Sequence, residues 1–169
     1  MSEQPEGPLP ATLIAPFESP SEYAAAWDKL LQLATFETLI FDRDLQDGGW
    51  NSVERSALLR EFLLRSRVTR LRIVVHDTKF VEGRLPRLSL LLRDFSHKFE
   101  ILRTTGDGRN AWDAFALVDG RHILHRFHQN VMRGELMLHA PARTGELRER
   151  YDEILSFTEP GVNATQLGL

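Results

Sequence analysis

Three histidines recur at every third position in the stretch HILHRFH, as His122, His125 and His128, and a fourth, His76, stands beside Asp77 at the end of the apolar run LRIVVHD. Imidazole can exchange a proton near neutral pH, attack phosphorus or hold a transition metal. Each of those chemistries needs its own spacing. On a strand, His122 and His128 share a face and His125 points away, so three nitrogens cannot converge on one ion without a bulge. Neither a metal nor a cofactor is therefore expected. His76 and Asp77 end a strand, and open parallel sheets commonly place ligands beyond strand carboxyl ends. The pair could work as acid or base, or be a hydrogen-bonded histidine followed by an aspartate that opens a loop. Asp42, Arg43 and Asp44 follow another apolar run and could face the same cleft.

Nearly all the positive charge is arginine, because lysine occurs only at 29, 79 and 98. Guanidinium forks suit phosphate. One cluster, Arg65, Arg67, Arg70 and Arg72, surrounds a single turn, while Arg103, Arg109, Arg121, Arg126 and Arg133 are spread through the second half. Interleaved acids and a net charge of -3 give no global attraction for nucleic acid, which is not the expected partner. TTGDGRN lacks a phosphate-loop lysine and precedes a strand. Neither a G-x-S-x-G elbow nor an H-E-x-x-H helix occurs.

A chain of 169 residues with 42% hydrophobic content can bury one core. Zero cysteines exclude disulfides and thiolate chemistry. The first residues carry no basic and apolar leader, and no run approaches the ~20 apolar residues of a membrane span. A cytoplasmic protein without a membrane segment is expected.

The elements that must position these residues follow from periodicity. Residues 1–18, rich in proline, read as a tail. Ser19-Pro20-Ser21-Glu22 is a capping box with proline at the first helical position, and Tyr23, Trp27, Leu30, Leu31 and Ala34 continue at helical spacing. FETLIF predicts a strand. Asn51 stands three residues before Glu54 as the cap of a helix over 52–66 that buries Val53, Ala57, Leu58, Phe62 and some of Leu59, Leu63 and Leu64. LRIVVHD predicts a strand covered on both faces, so strand, helix and strand form a parallel βαβ unit. After a loop over 78–85 come a helix from Pro86, a strand at 99–104, a hairpin of 111–119 and 121–127 about Asp119-Gly120, a strand at 135–140 and a helix from Thr144 that Pro160 ends. Residues 161–169 read as a second tail. The order implies an α/β fold: a three-layer α/β/α sandwich with a mixed sheet, as one domain over 19–160.

This order, together with AWDAFALVDGR, resembles one half-domain of the phospholipase-D-like superfamily. It is also similar to an uncharacterised proteobacterial domain found alone or fused to GNAT-type acetyltransferases. The superfamily resemblance implies a His-x-Lys-x-x-x-x-Asp signature in which histidine attacks phosphorus and lysine holds phosphate oxygens. With Asp119 as the signature aspartate, the histidine position is Trp112 and the lysine position Ala114. An indole is not a nucleophile at phosphorus, and a methyl group stabilises no charge. Arg126 stands where the resemblance implies a glycine after the hairpin, and Asn130 and Glu135 keep polar character familiar from that region.

The resemblance thus implies a catalytically degenerate domain that binds something. The candidate cleft comprises His76, Asp77, Arg126, His128, Asn130 and Glu135, with a phosphate-containing ligand as one occupant. Trp112 and Ala114 share a face with Ala116 and Val118. They are the candidate interface for a homodimer or a protein partner, or core beneath the first helix. The alternatives are a phosphodiesterase using His76, His125 or His128, and a weak nucleic-acid binder using the arginines.

Overall fold

The computed structural model describes residues 7–164. One eight-stranded mixed sheet runs through the molecule in the order β1-β7-β6-β5-β2-β3-β4-β8. Its strands are β1 (Leu13–Phe17), β2 (Glu37–Asp42), β3 (Arg70–Val75), β4 (Phe99–Thr104), β5 (Ala114–Val118), β6 (His122–His128), β7 (Val131–Leu138) and β8 (Thr158–Val162). β2, β3 and β4 are parallel and every other pairing is antiparallel. The expected parallel unit and hairpin are both present. Asp119 and Gly120 take φ of 55° and 65°, the left-handed pair that a tight two-residue hairpin turn requires.

Strand alternation builds the two cores. Ile40, Ile73, Val75, Ala116, Val118 and Leu136 face one way, against α1 (Pro20–Leu33), α2 (Val53–Leu64) and α4 (Pro86–Asp94). Leu39, Phe41, Val74, Phe115, Leu117 and Ile123 face the other way, against Leu147, Tyr151 and Ile154 of α5 (Pro141–Leu155). This is the expected α/β/α sandwich.

Four local expectations change. Residues 13–17, expected within a tail, form β1 along the free edge of β7, because Phe17 buries its ring against Tyr23 of α1 at 4.9 Å. Pro160 does not end the last helix but lies in β8 beside β4, an edge strand that tolerates a missing N–H. The remaining tail residues, 1–6 and 165–169, lie outside the described ones. A short helix, α3 (Lys79–Arg84), replaces the loop expected before Pro86.

The fourth change is the frame of α2. Its cap is Ser52, which accepts from the Arg55 N–H, and Val53 and Ala57 are exposed. The buried residues are Arg55, Leu59, Phe62 and Leu63. Arg55 takes an inward position by donating to the carbonyls of Gly48 and Ala24, at 2.6 and 3.2 Å, and to Asp28 at 2.9 Å. Its stem and planar head also lie over the Trp50 ring. A fully hydrogen-bonded guanidinium can be buried, and apolar periodicity does not register it.

Candidate functional site

The carboxyl ends of β2, β3 and β4 all reach one edge of the sheet, and β5 starts there. An open cleft of about 640 Å³ lies along that edge, lined by Arg43, His76, Lys79, Arg103, Arg109 and Trp112 among others. Each comes from a different place: Arg43 follows β2, His76 follows β3, Lys79 opens α3 and Arg103 is in β4. Arg109 belongs to the single-turn 3-10 helix Gly106–Asn110, and Trp112 immediately precedes β5.

His76 occupies the floor. Its Nε2 lies 2.8 Å from the Ala111 carbonyl, which only accepts, so Nε2 carries the proton. Its Nδ1 therefore accepts from the Thr104 hydroxyl at 2.6 Å. Both ring nitrogens are engaged, and the imidazole stands edge-on to Phe41 at 5.3 Å. A histidine so tied positions the segment before β5; it presents no lone pair to the cleft. Asp77, at the rim, accepts from the Lys79 N–H at 2.8 Å and starts the turn into α3.

The cations differ in how far they are engaged. Arg43 pairs with Asp44 and donates to Asn130 Oδ1 at 3.3 Å, which is where Asn130 enters the site. Arg103 pairs with Glu159. Arg109 donates only through Nε, to the Thr104 carbonyl. The Lys79 ammonium has no hydrogen-bond or ion-pair partner among the described residues.

Trp112 lies in the extended segment before β5 rather than on the strand, and it is 60% exposed. The core position beneath α1 is thus excluded for it. Its segment is nevertheless held: the Trp112 carbonyl accepts from the Gln129 N–H at 2.7 Å, and Gln129 Nε2 donates to the Asp113 carbonyl at 3.0 Å. The His128 ring lies parallel to the indole, 5° between planes and 6.5 Å between centroids, so His128 joins the rim of the cleft. Its Nδ1 accepts from the Asn130 N–H at 3.1 Å.

The other sequence candidates are elsewhere. Ala114 is 3% exposed and pairs with Arg126 in the sheet, so it offers no surface. Arg126 is 7% exposed and points to the α1 layer, where Tyr23 lies beneath its guanidinium. It donates to the carbonyls of Val131 and Gln129 and to Asp47 at 2.9, 2.8 and 2.7 Å, clamping its own β6–β7 turn. Glu135 sits mid-strand opposite His125, on the α5 side of the sheet. His125 donates to Asp113 at 2.8 Å, and Arg150 of α5 grips the same carboxylate from the other side. Burial alone would raise Asp113, but the bonds from His125 and Arg150 outweigh it and hold the carboxyl down at about 2. His122 is buried at the opposite end of β6 and accepts from the His139 N–H; burial depresses its pKa. The three histidines of HILHRFH therefore serve three separate places.

Asp119 is a structural staple. Its two oxygens accept from the N–H groups of Thr35, Phe36 and Glu37 and from the Thr35 hydroxyl, all at 2.8 to 2.9 Å. Asp42 ends β2 under the cleft and accepts from the N–H groups of Asp44 and Leu45 through one oxygen, at 3.1 Å each. Burial pushes its carboxyl up to about 6, against those two bonds.

Of the residues singled out from the sequence, His76, Asp77 and Arg43 line this cleft, while His128 and Asn130 adjoin it through Trp112 and Arg43. Sequence reasoning missed Lys79, because a lysine in a presumed loop carries no signal, and Gln129 and Thr104, whose roles depend on contacts distant in sequence. Among the described residues no helix is long and apolar enough to cross a membrane.

A family model described as a domain of unknown function, DUF7931, matches residues 19–164. No curated protein matches the chain in sequence. Several solved structures share its fold. Nuc, a phospholipase D family member from Salmonella typhimurium, superposes with a TM-score of 0.61 at 9% identity, over 90% of this chain and 100% of that one. Phosphatidylserine synthase from Haemophilus influenzae Rd KW20 gives 0.63 at 14% identity, over 98% of this chain and 44% of that one. TrmBL2, an archaeal chromatin protein with a novel mode of DNA binding, gives 0.64 at 12% identity, over 89% of this chain and 55% of that one. The chain thus spans about half the length of the last two, and the fold is phospholipase-D-like.

Proposed function

The chain belongs to the DUF7931 family, and from that premise and the geometry of its cleft we propose a catalytically degenerate phospholipase-D-like domain that binds a phosphate-bearing ligand without cleaving it. One observation carries this: the cleft at the strand ends is lined by Arg43, Lys79, Arg103 and Arg109, while Trp112 and Ala114 stand where the resemblance implies nucleophile and lysine. Cations can hold phosphate oxygens. An indole cannot attack phosphorus and a methyl group cannot clamp it. Of the histidines weighed for a non-standard phosphodiesterase, His76 has both nitrogens engaged and His125 is bound to Asp113 on the α5 side. Of the three, only His128 stands beside Trp112 of the cleft and also keeps a ring nitrogen, Nε2, without a partner among the described residues. Titration calorimetry with inorganic tripolyphosphate at low salt tests the reading. Binding that falls about tenfold or more in Lys79→Glu and Arg109→Glu supports it, on the scale of a lost charge-assisted contact. Absence of binding, or binding indifferent to both variants, overturns it.

A second reading has support of its own. Trp112, Phe127 and Val131 are 60, 48 and 52% exposed and lie near the same end of the sheet, as a surface for a second copy or a protein partner would. Light scattering decides it: a dimer that Trp112→Asp converts into a folded monomer supports self-pairing, and a wild-type monomer at high micromolar concentration excludes it.

A further inference from the structure

The exposed indole has no structural duty. Trp112 is held through its backbone, by Gln129, and the neighbouring Ala111 carbonyl is held by His76. Among the described residues the side chain makes no hydrogen bond and covers no core, yet it is the largest apolar side chain lining a cationic cleft. Exposing an indole forgoes the stabilisation that its burial would contribute. An exposed planar ring on a segment whose backbone is anchored, with the His128 ring parallel beside it, is a stacking platform. The two cations least engaged by acids, Lys79 and Arg109, line the same cleft. Arg43 and Arg103, by contrast, are paired with Asp44 and Glu159. The volume of about 640 Å³ lies within the range of small-ligand sites.

We propose that the cleft takes a nucleotide unit, its base stacked on Trp112 and its phosphate held by Lys79 and Arg109. The proposal rests on the phosphate-binding reading above and adds the aromatic half of the ligand. Stacking is sequence-tolerant, since every base has a π-face, and the cleft presents few neutral polar side chains to read a base edge. Free nucleotide and single-stranded nucleic acid share this chemistry. A lipid phosphate or an inorganic polyphosphate has no ring to place on the indole.

The test compares four probes by titration calorimetry at low salt: dTMP, a short oligo(dT), an abasic strand of equal length and charge, and inorganic tripolyphosphate. In the wild type, oligo(dT) is expected to bind at least about fivefold more tightly than the abasic strand, the lower end of one stacked base. Trp112→Ala should erase that difference while leaving abasic binding unchanged, and Trp112→Phe should restore part of it. Because the indole is exposed, these variants keep the core. Affinity for dTMP equal to that for oligo(dT) identifies a free nucleotide as the ligand, and much tighter oligo(dT) binding identifies a strand. Equal affinity of base-bearing and abasic strands overturns the nucleotide proposal and leaves phosphate binding standing. Failure of all four probes, tripolyphosphate included, removes both.

Discussion

Asp119 and Asp42 are both buried carboxylates, and they accept different numbers of hydrogen bonds. Asp119 accepts four bonds at the corner between α1 and β2, from a backbone position with φ of 55°. Asp119→Ala leaves those donors without their acceptor and places an alanine in left-handed backbone. A loss of about 3 kcal/mol is expected in urea unfolding; a loss below about 1 kcal/mol means that water replaces the carboxylate. Asp42 receives only two bonds, both at one oxygen, and burial dominates. Its folded pKa of about 6 exceeds the ordinary 3.8, so the folded state favours the protonated form. That stability is complete below about pH 4 and lost as the pH rises through about 6. In the Asp42→Asn variant the amide oxygen can accept the same two bonds and the side chain never ionises. The variant should match the wild type near pH 4 and exceed it by up to about 3 kcal/mol above pH 7, from the size of the shift. A gain of equal size at both pH values contradicts the assignment of the shift to ionisation.

At the scale of elements, the edge of the sheet depends on one glycine. A Cβ on Gly134 would lie 2.0 Å from the His125 carbonyl and 2.5 Å from the Phe17 ring. Neither can yield without moving β6 or β1, so Gly134→Ala should lower the unfolding midpoint sharply, by the equivalent of about 3 kcal/mol. It should also speed hydrogen exchange in β1 and β7 before the parallel strands. Uniform exchange throughout would show instead that β1 and the core unfold together. The strand expected from the sequence begins only at 135, because a glycine between charged residues reads as the end of a loop. Gly134 sits inside β7 because β1, invisible to periodicity in a proline-rich segment, packs across it.

The whole molecule carries the most direct expectation. If Trp112 and Ala114 stand at the signature positions, as the proposed reading has it, purified protein should hydrolyse neither bis-p-nitrophenyl phosphate nor single-stranded DNA above a mock preparation. Activity that co-elutes with the chain and disappears in His128→Ala would reinstate the phosphodiesterase alternative, since His128 alone of the weighed histidines offers a free ring nitrogen at the rim. Such an enzyme would need Lys79 and Arg109 as its clamp. Reverse-charge variants there separate that case from contamination.

Patterns local in the chain were legible beforehand. The apolar β-forming runs LRIVVHD and FALV, the capping box at Ser19 and the turn at Asp119-Gly120 are set by steric and hydrogen-bonding preferences of neighbouring residues. They sufficed for the α/β/α order and the parallel pair. Their reach ends where partners are far apart in sequence. Whether Arg126 faces a ligand or its own turn depends on Asp47 and Tyr23, and whether Trp112 is core or rim depends on Gln129 and His76. In isolation His76 reads either as an acid or base or as a hydrogen-bonded histidine. Tertiary structure gives it Thr104 and Ala111, and two hydrogen bonds convert a candidate catalyst into a strut. Side-chain type sets what a residue can do, and only the packed neighbours decide which of its donors, acceptors and faces remain free to do it.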